Sequence, residues 1–246
     1  EYVFGDICQP VSLTLPVSMA IRQSMGVCPA FLLDMVPQGN GRRYLTQQLN
    51  LADSDDLIMP KSGTVVRLHQ ESLASLAGHH SFGIRPNHFD LVNAFLPVVT
   101  NPLSEIIEYI KRDLLNLALR NTDNHARNTA VQQLEDGTVQ LTPVFDIAPM
   151  FMDREIIVRA SRWLNPAGQV INNFADVIEG LPLKNPEKNT VMAAIKTFAK
   201  EIANLPLTMA ACGVDHSLIE LCKPHINDVY ESIAKGCYLD KVGGAQ

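Results

Sequence analysis

The sequence has no apolar run approaching the ~18 residues that a membrane-spanning helix needs, so no membrane partner is expected. It also has no signal-peptide pattern. Its cysteines, Cys8, Cys28, Cys212, Cys222 and Cys237, are odd in number and form no C-x-x-C pair. That argues against a disulfide framework and for a reducing, cytoplasmic compartment. Cys222 and His225 have a spacing that a zinc site could use, but no further ligands complete it nearby, and a partly buried helix end explains them more simply. Basic excess is missing too: the formal charge is −6, and the pI is near 5.6. Such a chain has no overall positive field to hold a nucleic-acid backbone, so direct DNA binding by this segment is not expected. There is neither a Walker loop nor a G-x-G-x-x-G run; Gly39-Asn40-Gly41-Arg42-Arg43 reads as a tight turn that starts a helix. No repeat of solenoid or propeller length is found. The sequence begins at Glu1 without a methionine, inside an apparent strand, and reads as a segment of something longer.

What is present is enough apolar material for a sizeable core: 46% over 246 residues, with a mean hydropathy of +0.04. Residues 2–4 and 11–15 alternate loosely and read as short strands, and 18–25 could start a helix. A short helix is expected before Pro37, and another from Arg42 to Leu49. A polar, breaker-rich stretch over 51–63 follows. Residues 65–69 read as a strand, 70–77 as a short helix and 78–90 as irregular, with His79, His80 and His88 in surface or structural roles rather than around a metal. The best helix runs from Pro102 to Leu119, with Ile106, Ile107, Ile110, Leu114, Leu117 and Ala118 at near-helical spacing and Asn101 or Ser104 as cap. A strand–turn–strand unit with its turn at Glu135-Asp136-Gly137 comes next. Helices are expected at 172–179, 188–204, 215–222 and 224–235, with Trp163 as a packing anchor. Strands early and helices late make the chain α+β.

The chemistry concentrates between Asn121 and Asp146. A long apolar helix runs into the polar loop NTDNHARN, where Asp123 precedes Asn128 by five residues, and a hairpin then delivers Asp146 at the end of an apolar strand. Phosphoryl transfer requires this set: a carboxylate beside the acceptor hydroxyl, and oxygen ligands for Mg²⁺ at the β and γ phosphates of ATP. Asp123 could serve the acceptor, Asn128 supply a neutral oxygen and Asp146 an anionic one. Asp and Asn are also ordinary turn formers, so the spacing alone is weak; the helix before it and the hairpin after it give it weight. His125 could order the loop or approach a phosphate, and Arg127 could pair with a phosphate, with a loop acid or with solvent. Asn121 reads as a helix C-terminal residue rather than a ligand.

These residues resemble the HipA-like serine/threonine kinases of bacterial toxin–antitoxin systems. The family's catalytic loop reads much like residues 121–128, and its second metal-binding aspartate follows a short hairpin, as Asp146 does in LTPVFDIAP. PVSLTLPVSM at 10–19, PAFLLDMVPQGNGRRYL at 29–45 and VVRLHQESLASLAG at 65–78 are similar to upstream family segments, the last with Ser72 where Asp is common. The resemblance implies a fold distantly related to protein kinases, with a mixed N-terminal region over 1–100 and a mostly helical catalytic lobe over 101–246. It implies Asp123 as catalytic base with His125 beside it, and Asn128 and Asp146 as the residues that hold Mg²⁺ and the ATP phosphates. It further implies a protein substrate phosphorylated on serine or threonine, and an antitoxin partner that carries a DNA-binding domain.

The sequence departs from the family between Asn50 and Gly63. The family places a phosphate-covering glycine loop, a nucleotide-contacting lysine and further strands in that region. Either residues are missing near 50–63, which is the expectation, or the chain is a catalytically inactive kinase-like module that binds a protein. Lys61 is not assigned to the nucleotide. A metal-assisted phosphohydrolase using the same acids is a third reading, but the chain lacks the denser His and Asp clusters such enzymes use.

Overall fold

The computed structural model describes residues 35–37, 43–45, 68–81, 83–147, 150–152 and 157–234, the first two runs as backbone only. The expected strands at 2–4 and 11–15, the helix at 18–25 and the interval at 50–63 lie outside the described residues.

Strands β1 (Met35–Pro37) and β2 (Arg43–Leu45) pair antiparallel, with Pro37 opposite Arg43. This corrects the expectation of helices ending before Pro37 and starting at Arg42. The residues between the strands include Gly39 and Gly41, and strand pairing outweighs the local apolar spacing that suggested helix. A second antiparallel sheet has the order β3 (His69–Ser72), β4 (Ala130–Gln133), β5 (Val139–Leu141). The β4–β5 hairpin turns where the sequence says it should, with Gly137 at φ 85°, a conformation glycine adopts without cost. Of the strand expected at 65–69, residues 65–67 lie outside the described residues; β3 runs past the expected end to Ser72, which caps the next helix: its hydroxyl accepts from the Ser75 amide at 3.2 Å. Helix α1 is accordingly short, Leu73–Leu76.

Helix α2 (His88–Phe95) is capped by Asn87, whose side chain accepts from the Phe89 amide, so the segment expected to be irregular becomes helical at His88. Helix α3 (Pro102–Ala118) matches its expectation closely, with Pro102 at the first turn, where a missing N–H does no harm. Its cap position is Asn101, without a side-chain bond. Helix α4 (Phe174–Glu179) follows an Asn173 cap. Helices α5 (Asn185–Ala211) and α6 (His216–Ala234) are longer than expected and run through Pro206 and Pro224. The expected breaks beside these prolines do not occur, because α5 and α6 pack against each other and against α3 on both sides of them. Ile106, Ile110 and Leu114 of α3, Ile195 and Ile202 of α5, and Ile226 and Val229 of α6 are almost wholly withdrawn from solvent. The result is an α+β architecture with a small sheet region leading into a helical lobe. Among the described residues, no helix is long and apolar enough to cross a membrane.

Candidate active site

The site begins where α3 stops. Arg120 adopts φ 58°, and two amides close the helix end: Arg120 N–H donates to the Leu117 carbonyl, and Asn121 N–H to the Asn116 carbonyl. This paired closure usually carries an apolar contact. Here the Asn121 side chain instead donates to Asn116 Oδ1 at 3.0 Å, and its own Oδ1 accepts from the Asp123 amide at 3.2 Å. Asn121 is buried, and it sets the direction in which the loop leaves the helix, the role its position in the sequence suggested. Arg120, a non-glycine residue in left-handed backbone, stacks its guanidinium 4.0 Å from the Phe151 ring.

Three further fastenings hold the loop. Leu73 and Ala74, at the start of α1, donate their amides to the carbonyls of Thr129 and Ala126. Asn124 is buried and makes a two-way pairing with the Ser161 backbone: its Nδ2 donates to the carbonyl at 3.2 Å, and its Oδ1 accepts from the amide at 3.3 Å. Asn128 Nδ2 donates to the Asp123 carbonyl at 3.0 Å, bridging the five-residue interval seen in the sequence.

The four candidate residues Asp123, His125, Asn128 and Asp146 come together. His125 Nε2 lies 3.8 Å from Asp123 Oδ1, and both side chains are about one-third exposed. Asp146 is reached through left-handed backbone, φ 53°, which aspartate tolerates better than most residues. It is an exposed residue overall, yet its carboxyl is pushed up, first by the desolvation its surroundings impose and next by the Asp123 charge; His125 and the Asn128 side chain oppose the rise. One cavity is bordered by Asn128 and Asp146, and a second, of about 360 Å³, by Asp123; His125 and Ala126 form the wall they share. Among the described residues no group of three His, Cys, Asp or Glu side chains could hold a metal ion. An Asn–Asp pair fits Mg²⁺ nevertheless, since that ion takes few protein ligands, all oxygen, and keeps several waters. Because the Asn128 amide nitrogen is engaged, its oxygen is left as the available donor, and a cation there would relieve the repulsion between Asp146 and Asp123.

Beneath the loop lies a polar cluster that sequence reasoning missed. Asp113 of α3 is buried and accepts from Trp163 Nε1 at 2.9 Å and from Arg159. His88 Nδ1 lies 2.6 Å from the Tyr109 hydroxyl, and its Nε2 lies 3.3 Å from Asp113, near enough for electrostatic pairing though outside hydrogen-bond geometry. Burial alone would push the Asp113 carboxyl up, but Arg159, His88 and Trp163 together hold it well below the usual carboxylate range. The signal was in the sequence: Asp113 follows Ile110 by three residues, on the apolar face of α3, where a solitary carboxylate requires partners. Trp163 is buried and stacks on His88 with ring centroids 4.8 Å apart, the anchor it was expected to be. His80 is exposed, and His88 is a buried structural residue. Cys222 is a buried thiol in mid-helix, pushed up to about 11 by its burial, and it belongs to the core rather than to a zinc site.

The sequence matches the HipA-like C-terminal domain over residues 40–204, and the chain belongs to that family. No curated protein matches it by sequence. Its fold is similar to that of HipA from Shewanella oneidensis MR-1, solved with HipB and operator DNA, at 16% identity and a TM-score of 0.61 over 98% of this chain and 59% of that one. A Helicobacter pylori proinflammatory kinase, CtkA, is 14% identical, with a TM-score of 0.46 over 89% of this chain and 79% of that one. The chain thus spans 59% of the length of the HipA it matches.

Proposed function

We propose that this chain carries the catalytic lobe of an ATP-dependent serine/threonine protein kinase, the toxin of a toxin–antitoxin pair. Family membership supports the class. The observation that carries the reading is the junction of Asp123, Asn128 and Asp146, with the Asn128 amide tied to the Asp123 carbonyl and opposite the Asp146 carboxylate. In this reading residues 1–100 form the mixed N-terminal region and 101–246 the catalytic lobe.

Asp123 orients the acceptor hydroxyl and takes its proton as the new oxygen–phosphorus bond forms and the bond to the ADP oxygen breaks. Asn128 and Asp146 hold Mg²⁺, which supplies charge neutralisation at the β and γ phosphates when bound. His125, whose Nε2 lies 3.8 Å from Asp123 Oδ1, directs that carboxylate. The HipA neighbour was solved with HipB and operator DNA, and by that likeness the partner here is an antitoxin that contributes the DNA-binding domain. The acidic balance of this chain agrees with DNA contact through a partner rather than directly.

The test is calorimetry of ATP binding to the full-length protein with and without Mg²⁺, together with a radiolabel transfer assay. Binding should require Mg²⁺ and weaken at least about tenfold in Asp146→Asn, since asparagine keeps the left-handed backbone but removes the charge. Asp123→Ala should still bind ATP but lose transfer by roughly 10² or more. A folded wild-type protein that binds no nucleotide would instead make the chain a kinase-shaped binding module.

A further inference from the structure

The second cleft is unlike a nucleotide pocket. Its walls include Ile84 and Val158, large apolar side chains that are 38% and 46% exposed. Beside them stand Arg85 and Arg127, and Asp123 also lines the cleft. Along the chain, Val158 and Ala160 line this cleft while Arg159 and Ser161 turn the other way, toward Asp113 and Asn124. The Arg162 backbone runs beside Pro86 and Asn87, next to the cleft residue Arg85, with its amide donating to the Pro86 carbonyl. Arg162 is pushed down first by burial and then by the charges of Arg159 and Arg85, so its guanidinium lies within electrostatic reach of both. Asp113 neutralises Arg159, but Arg85 and Arg162 have no acidic partner among the described residues. Two imidazoles that line the cleft, His79 and His125, each keep a ring nitrogen shut off from solvent without a hydrogen-bond partner. Cations that have no acidic partner among the described residues, set around exposed apolar side chains, call for an occupant that is anionic and partly apolar.

We infer that this cleft is the docking groove for the protein acceptor, and that it selects a serine or threonine flanked by an anionic side chain. The inference rests on the kinase reading and deepens it. The acceptor hydroxyl meets Asp123, an apolar neighbour packs on Ile84 and Val158, and the anion lies between Arg85 and Arg162. A peptide suits the cleft better than a nucleic-acid strand, because the exposed Ile84 and Val158 offer aliphatic faces that pack on side chains rather than stack on bases.

Fluorescence anisotropy without ATP tests this, using labelled serine peptides that differ only in the flanking residue: Glu, phosphoserine, Gln or Lys. The Glu or phosphoserine peptide should bind about tenfold or more tightly than the Gln peptide, and the Lys peptide more weakly still. Whichever of the two binds more tightly identifies the anion. Arg85→Glu, an exposed position, should remove or invert the preference, and Arg162→Gln should reduce it. Equal binding of the Glu, phosphoserine and Gln peptides overturns the inference, as does a preference that survives both substitutions. Binding of a single-stranded oligonucleotide in place of the peptides, lost with Arg85→Glu, overturns it too. The two readings fail separately. Transfer without flanking preference sinks the groove alone, whereas selective peptide binding by wild type that never transfers phosphate sinks the kinase.

Discussion

Asn124 ties the 121–128 loop to the segment that also carries Arg159 and Trp163. If the side chain is cut back, the buried Ser161 amide loses its acceptor, while the Ser161 carbonyl keeps only the bond from Arg159 Nε. Asn124→Ala should cost about 1–3 kcal/mol, read from the urea midpoint, because the orphaned Ser161 amide loses a partner that water cannot replace. Gly180 makes a different demand. A Cβ built there would lie 2.8 Å from Phe89 Cζ, and the Phe89 ring is itself held edge-on against Trp163. Gly180→Ala should lower stability by roughly 1–3 kcal/mol, since the ring has to leave its seat on the tryptophan. At this scale the sequence was legible in proximity: Asp123, Asn128 and Asp146, singled out by their spacing, lie near one another. It was opaque where polar residues serve one another across distance. Asn124 and Ser161 are separated by 37 residues, and no local pattern announces the pair.

Among the elements, α3 was read nearly to the residue because one long apolar face and an N-terminal proline fix it from within. Helices α5 and α6 were misread at their prolines, since local propensity argues for a break and tertiary packing overrules it. Pro224 is exposed in the interior of α6, so it contributes no packing that would repay the lost backbone bond to Glu220. Pro224→Ala should therefore raise the unfolding free energy by up to about 3 kcal/mol, measurable as a higher thermal midpoint. The β1–β2 pair shows the converse error, where helical spacing in the sequence gave way to a strand partner that only the folded chain supplies. The edge of β5 is finished from outside the sheet: its Leu141 amide donates to Glu105 of α3 at 2.8 Å, joining hairpin to helix.

For the whole molecule, the buried Asp113 cluster connects α2, α3 and the 159–163 segment under the loop, and it sets the acid limit of stability. Asp113 stays ionised in the fold at pH values where it takes up a proton when unfolded. Its contribution is thus complete above about pH 5 and declines as pH falls below the ordinary aspartate value of roughly 4. Unfolding free energy measured between pH 6 and pH 3 should fall with a slope that Asp113→Asn flattens, though that variant is less stable throughout because Arg159 loses its counter-charge.

The amides of Leu73 and Ala74 stand fifty residues before the loop they grip. They cannot exchange their protons for solvent deuterons unless that loop lets go. Hydrogen exchange at these two positions is therefore a clock for the 121–128 loop, and it should tick at the same rate as the Asn128 amide, which is held within the loop by the His125 carbonyl. Whatever moves the strand that leads into α1 moves the loop with it, and a ligand that stills the loop will be heard first in the chain's other half.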